Sequence, residues 1–222
     1  MSASAPAVRP VQAPTKDGPR TVAFAPNYAT DVLNLRRWQK SEIVVHVAEP
    51  TPAQNAAGRD YVSALRDGAA LWQPYLGGVV SVRFTDNASE ADVHVSFTDK
   101  GSLPDGAIGR TEVTYRNRDN VVVSAAVRVD RTLKPELLAQ VAAHEIGHAL
   151  GMEGHSVDKT DLMYARAHLP AAVTERDSNT LHLNYSIGAI RADAHPAAQT
   201  ALSEVAYASR DTTVAAACSL PE

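Results

Sequence analysis

Hydrophobic residues fall along the chain in runs of two periods. Ile43-Val44-Val45-His46-Val47, closed by Pro50, is rich in β-branched residues and predicts a first strand. Val79 to Phe84 predicts a second. Ala91 to Phe97 alternates, which puts Val93, Val95 and Phe97 inward and Asp92, His94 and Ser96 outward. After an Asp105-Gly106 turn come two more β segments, Ile108 to Tyr115 and Val121 to Val129. The polar run Arg116 to Asn120 between them reads as a solvated hairpin tip. Helical spacing takes over elsewhere. Thr51 is placed to cap a helix with Pro52 in its first turn, running to Gln73 with Tyr61, Leu65, Ala69 and Trp72 close to one face. A second helix starts at Pro135, with Leu137, Leu138, Val141 and Ile146 at helical spacing. Val173 to Tyr185 predicts a third, capped helix. Strands followed by helices in this order predict an α+β domain over residues 38–186. Residues 1–37 are expected to be a leader or linker, partly disordered, and 187–222 an Ala-rich tail in which Ala201 to Tyr207 forms a helical turn or two.

The second helix carries the chemistry. His144 and His148 stand four residues apart, hence on one face and about 6 Å apart along the axis. Neutral imidazoles so placed can share one zinc ion. Glu145 lies beside them, positioned to take a proton from water on the metal rather than to bind it. Gly151 falls three residues past His148, where the chain must leave the helix and a left-handed turn favours glycine. The chain can then double back and bring a third imidazole, His155, to the same ion. The apolar turn Asp161-Leu162-Met163-Tyr164 follows, with a methionine able to floor the site.

This succession resembles the metzincin zinc endopeptidases, and within them the matrixin-like bacterial members, whose pattern is H-E-x-x-H-x-x-G-x-x-H followed by a Met-turn. The resemblance spans about Trp38 to Tyr185 and implies a zincin fold with a twisted mixed sheet, an active-site helix, a Met-turn and a closing C-terminal helix. It makes His144, His148 and His155 the metal ligands, Glu145 the catalytic general base and Met163 the Met-turn residue. The implied activity is zinc-dependent endopeptidase cleavage of protein substrates by Glu-assisted attack of zinc-bound water. One position departs from the pattern: the third histidine is expected at Gly154 and comes one place later, at His155. Glu153, Asp158 and Asp161 are the alternative ligands, and Glu175 is the nearest glutamate for a ligand from a later helix. An extended substrate is expected to pair with an edge strand, the segment from Gly109 to Tyr115 being the best choice. Tyr164 is a weaker choice for holding the oxyanion. The rival function is a metal-stabilised binding module derived from a protease, and Glu145, useless to a purely structural site, argues against it. A hydrolase of small amides, or one whose only substrate is its own leader or tail, is a third reading.

Composition narrows these readings only slightly. A net charge of -4 gives no reason to expect nucleic acid or an anionic membrane as partner, and no apolar run reaches the ~20 residues of a membrane span. A polypeptide substrate and a monomer are expected. Met1 to Gly18 lacks the apolar core of a secretory signal, whereas the resemblance implies a secreted protein. The single cysteine, Cys218, excludes an intrachain disulfide and reads most simply as a tail thiol. It leaves the N-terminal stretch without the thiol that keeps some matrixins latent. Asp92 is a possible ligand of a structural calcium ion, although the acid-rich cluster such a site needs is not apparent. His46, His94, His168, His182 and His195 carry no individual signal.

Overall fold

The protein is described here from a computed structural model covering residues 26–29, 36–49, 61–117, 119–170, 172–194 and 211–219. Strands β1 (Arg37–Trp38), β2 (Glu42–Val47), β3 (Ser81–Thr85), β4 (Val93–Thr98), β5 (Gly109–Arg116), β6 (Val121–Asp130) and β7 (Asp211–Cys218) form one seven-stranded sheet. Its order is β3-β2-β4-β6-β5-β7, with β1 added alongside β6. The pairs β2–β3, β2–β4, β4–β6 and β1–β6 are parallel, and β5 runs antiparallel to both β6 and β7. Helices α1 (Tyr61–Ala70), α2 (Pro135–Ala149) and α3 (Glu175–Ala194) complete an α+β fold, as the sequence predicts.

The predicted strands lie where expected, because their β-branched residues supply the buried face. Val93, Val95, Val113, Val127 and Val129 all enter the core. Asp92 departs from the outward position expected of it. It precedes β4, is buried, accepts from Val44 N at 3.0 Å and pairs with Lys40. A carboxylate bonded there ties the start of β4 to β2 instead of joining an oxygen cluster. His94 is exposed, as expected.

Helix α1 buries Tyr61, Ala64, Leu65, Gly68 and Ala69, one stripe at helical spacing. At Gly68 a Cβ would come 2.2 Å from the Ala139 carbonyl oxygen, so this glycine lets α1 and α2 touch backbone to backbone. Trp72 follows in the core. The Thr51 and Pro52 start of the predicted helix lies outside the described residues, as do Met1 to Gly18, His195 and Ala201 to Tyr207. Helix α3 is longer than the predicted Val173 to Tyr185, reaching Ala194.

The largest difference is in the stretch expected to be a tail. Residues 211–218 form β7, which pairs with β5 over eight positions from Gly109↔Cys218 to Arg116↔Asp211. The β5 edge expected to be open for a substrate is therefore covered. Cys218, expected to be a simple tail thiol, is 1% exposed. Nothing in local sequence marks that pairing, which spans about a hundred residues of chain.

Candidate metal centre and active site

Helix α2 holds the site because it is central rather than peripheral: every residue from Gln140 to Ala149 is buried. Two tryptophans fix it by bonding carbonyls along it, Trp72 Nε1 donating to Ala143 O at 2.7 Å and Trp38 Nε1 to Ala149 O at 2.8 Å. Its end is a Schellman motif: Met152 N bonds Gly147 O at 3.2 Å and Gly151 N bonds His148 O at 2.9 Å. Gly151 has φ +108°, and a Cβ there would meet the Arg36 carbonyl oxygen at 2.2 Å. The glycine that the sequence places at the exit thus answers both a left-handed backbone and a close approach. Beneath the helix, Met163 Sδ lies 2.3 Å from where a Gly147 Cβ would stand, one residue before His148. The Met-turn therefore packs against α2 between the two histidines.

Beyond Gly151 the chain returns and brings His155 to the pair. Its ring centroid lies 5.3 Å from that of His144 and 4.9 Å from that of His148. One ring nitrogen of each histidine falls within 4.8 Å of the others. The hydrogen bonds fix which nitrogens are free. His144 Nδ1 lies 2.8 Å from the Leu162 carbonyl and His148 Nδ1 2.5 Å from that of Met152. A carbonyl only accepts, so both Nδ1 atoms carry the proton and both Nε2 atoms present bare lone pairs. Those two Nε2 atoms stand 3.1 Å apart, and His155 Nε2 is buried without a hydrogen-bond partner. Imidazole nitrogens converging in a buried site repel one another through their lone pairs unless a cation lies between them. Tetrahedral zinc, with Zn–N of about 2.0–2.1 Å, would set neighbouring nitrogens about 3.3 Å apart. The donor set fits zinc.

Burial keeps these imidazoles neutral, as ligands must be. It pushes His144 down to about 3, helped by the charges of His155 and His168 and opposed by the Leu162 carbonyl. Burial, then His144 and His155, take His148 well below its ordinary value. His155 is lowered by burial too, with the Ala217 backbone pulling the other way. The alternative ligands are engaged elsewhere. Glu153 pairs with Arg36. Asp158 is exposed and accepts from Thr160 N at 2.9 Å. Asp161 is held by Ser156 Oγ at 2.5 Å and Arg176 Nε at 3.0 Å. Glu175 is exposed at the start of α3. Tyr164 is half-buried, and its backbone bridges to Ser156.

Glu145 is fully buried on the adjoining face of α2, against β5. Burial raises its carboxyl to about 8, while the Thr111 hydroxyl, the Cys218 backbone and the Arg110 charge pull it down. Thr111 Oγ1 lies 2.6 Å from Oε2, and Oε1 is buried without a partner. A Cβ at Gly109 would strike that Oε1 at 2.5 Å. Sequence reasoning missed both β5 residues, although their alternation was visible: Gly109, Thr111 and Val113 share the buried face, where a threonine needs a polar partner. It also missed Asp177. That buried carboxylate accepts from Leu162 N at 2.9 Å, Met163 N at 3.3 Å, Thr174 N at 2.8 Å and the Tyr28 hydroxyl at 2.5 Å, pinning the Met-turn to α3.

A family model for the matrixins (peptidase M10) matches residues 37–186. Among solved structures, that of myroilysin is similar at 14% sequence identity and a TM-score of 0.45, covering 69% of this chain and 97% of that one. The matched segment runs from β1 through the Met-turn into α3 and holds all three converging histidines, so the chain belongs to the matrixin family of metallopeptidases.

Proposed function

We propose that the protein is a zinc-dependent metalloendopeptidase, with His144, His148 and His155 as ligands of one catalytic zinc ion and Glu145 as general base. The observation that carries this reading is the convergence of three imidazole nitrogens beside the fully buried carboxylate of Glu145. Zinc bound there would polarise the scissile carbonyl, acidify a water and favour the ionised form of Glu145. Glu145 then takes a proton at Oε1 while the Thr111 hydroxyl holds Oε2, and passes that proton to the leaving amine. The Met163 floor and the packed α2 exclude bulk water from below. The substrate is an extended polypeptide, and family membership supports an enzyme that acts outside the cell. No helix among the described residues is long and apolar enough to cross a membrane.

The test is cleavage of an unstructured protein such as casein by the zinc-loaded chain. Glu145→Gln is expected to keep zinc at parental affinity and lose about 100-fold or more of the rate, the range for a positioned base. Cleavage by that variant at the parental rate would remove Glu145 from the mechanism. His155→Ala is expected to weaken zinc binding far more than Asp158→Ala or Asp161→Ala, measured by chelator competition. Equal losses would remove His155 as third ligand.

A further inference from the structure

The segment Asp211–Ser219 lies where the proposed function needs its substrate. Strand β7 continues the antiparallel ladder of β5 across Thr111 and Gly109, the two residues that face Glu145. It then crosses the site. Ile108 N donates to Cys218 O at 2.9 Å, Ser219 N to Ala165 O at 3.2 Å, and Ala167 N to Ser219 O at 2.9 Å. One continuous stretch is thus bonded to the strand before the metal centre and to residues 165–167 after the Met-turn. Between those holds the Cys218 side chain is buried, its Sγ within 4.8 Å of a His144 nitrogen and a Glu145 oxygen. The space left beside His148, roofed by Val214, Ala215 and Ala216, is a cavity of about 190 Å³, room for a few waters and not for a second polypeptide.

We propose that Asp211–Ser219 is a built-in blocking strand: it occupies the peptide-binding cleft in an extended, substrate-like pose, with Cys218 over the Glu145–His144 pair, and keeps the protease latent until displaced. The sequence of the segment suits this role. Thr212-Thr213-Val214-Ala215-Ala216-Ala217-Cys218 is extended, small-chained and free of proline, so it seats without needing large pockets. The β5 edge, left open, would present unpaired backbone groups. The proposal rests on the protease reading for its consequence, latency, but not for the occupancy itself.

Because Cys218 is the only cysteine, its thiol reports the strand. The experiment compares the zinc-loaded full chain with its Ala215→Pro/Ala216→Pro variant. Of two consecutive strand residues one turns its N–H toward β5, so the pair of prolines removes a ladder bond whichever it is. Maleimide labelling is expected to be slow in the parent and fast in the variant. Cleavage of casein is expected to rise about tenfold or more in the variant, the gain when a strand seated in nine molecules of ten is released. A parent thiol that labels as fast as in urea would overturn the proposal. So would a variant with a freely labelled thiol that cleaves no faster than an active parent. Thr213→Pro, farther from the metal centre, serves where a melt shows the double variant misfolded. Should neither protein cleave, the protease reading fails and occupancy is read by binding of a labelled synthetic peptide of sequence 211–219. Binding to the variant and not to the parent supports the blocking strand, and equal binding to both overturns it.

Discussion

The orientation of Glu145 depends on two β5 residues that make no contact with a metal. Gly109 gives the carboxylate room, since any Cβ there would overlap Oε1, and Thr111 holds the opposite oxygen at 2.6 Å. Thr111→Val keeps the shape and removes the hydroxyl. Without that bond the ionised carboxylate loses its largest stabilising contact, so the acid limb of the pH–rate profile is expected to move to higher pH. The rate at neutral pH is expected to fall about tenfold, the equivalent of one hydrogen bond to a charged group. Thr111→Ser is expected to restore most of it. A Thr111→Val enzyme with parental rate and unshifted profile would make the threonine a packing residue only.

The Met-turn is positioned from α3, through a carboxylate that does two jobs. Thr174 and Asp177 form a capping pair at the start of the helix, Thr174 N donating to Asp177 Oδ2 at 2.8 Å and Asp177 N to Thr174 Oγ1 at 3.1 Å. The same carboxylate binds the amides of Leu162 and Met163. Asp177→Ala would leave those buried N–H groups without partners, at about 1–3 kcal/mol each. The variant is expected to lose about 2–5 kcal/mol by denaturant titration and to hold zinc less tightly, because Met163 packs against Gly147 between two of the histidines. A loss below about 1 kcal/mol, ordinary for a cap alone, would limit Asp177 to the helix start. What could be read from the sequence follows the same division. His144, Glu145, His148 and Gly151 are set by spacing within one helix and its exit, so their arrangement was legible in a dozen residues. His155 needed the family pattern, because a loop one residue longer hides its direction. Gly109 and Thr111 depend on which strand packs over α2, Asp177 on how α3 docks, and β7 on pairing with a strand about a hundred residues away. Local periodicity carries none of that information.

Removing the metal should leave a protein whose stability records the cost of an unfilled site. The unfolded chain protonates its histidines near 6.5, whereas His144 in the fold does so only at about 3, and His148 and His155 are likewise lowered. Below pH 6.5 the unfolded state therefore binds more protons, and stability falls as pH falls. Glu145 acts in the opposite direction. Its folded value of about 8 stands above an unfolded 4.5, so the fold holds an extra proton between those values and stability falls as pH rises through them. Between 4.5 and 6.5 three lowered imidazoles outweigh one raised carboxyl. Between 6.5 and 8 the carboxyl acts without them. The melting temperature of the chelator-treated protein is thus expected to peak near pH 6.5 and to decline on both sides. Glu145→Gln removes the one group responsible for the alkaline limb, so between pH 6.5 and 8 that variant should show a flat profile. Zinc should raise the melting temperature throughout, by about 2.7 kcal/mol of stability at a hundredfold excess over its dissociation constant, and abolish the same limb by favouring the Glu145 carboxylate. A metal-free profile as flat from pH 6.5 to 8 as that of Glu145→Gln would mean that Glu145 is already ionised there, and its carboxyl would not be raised by burial.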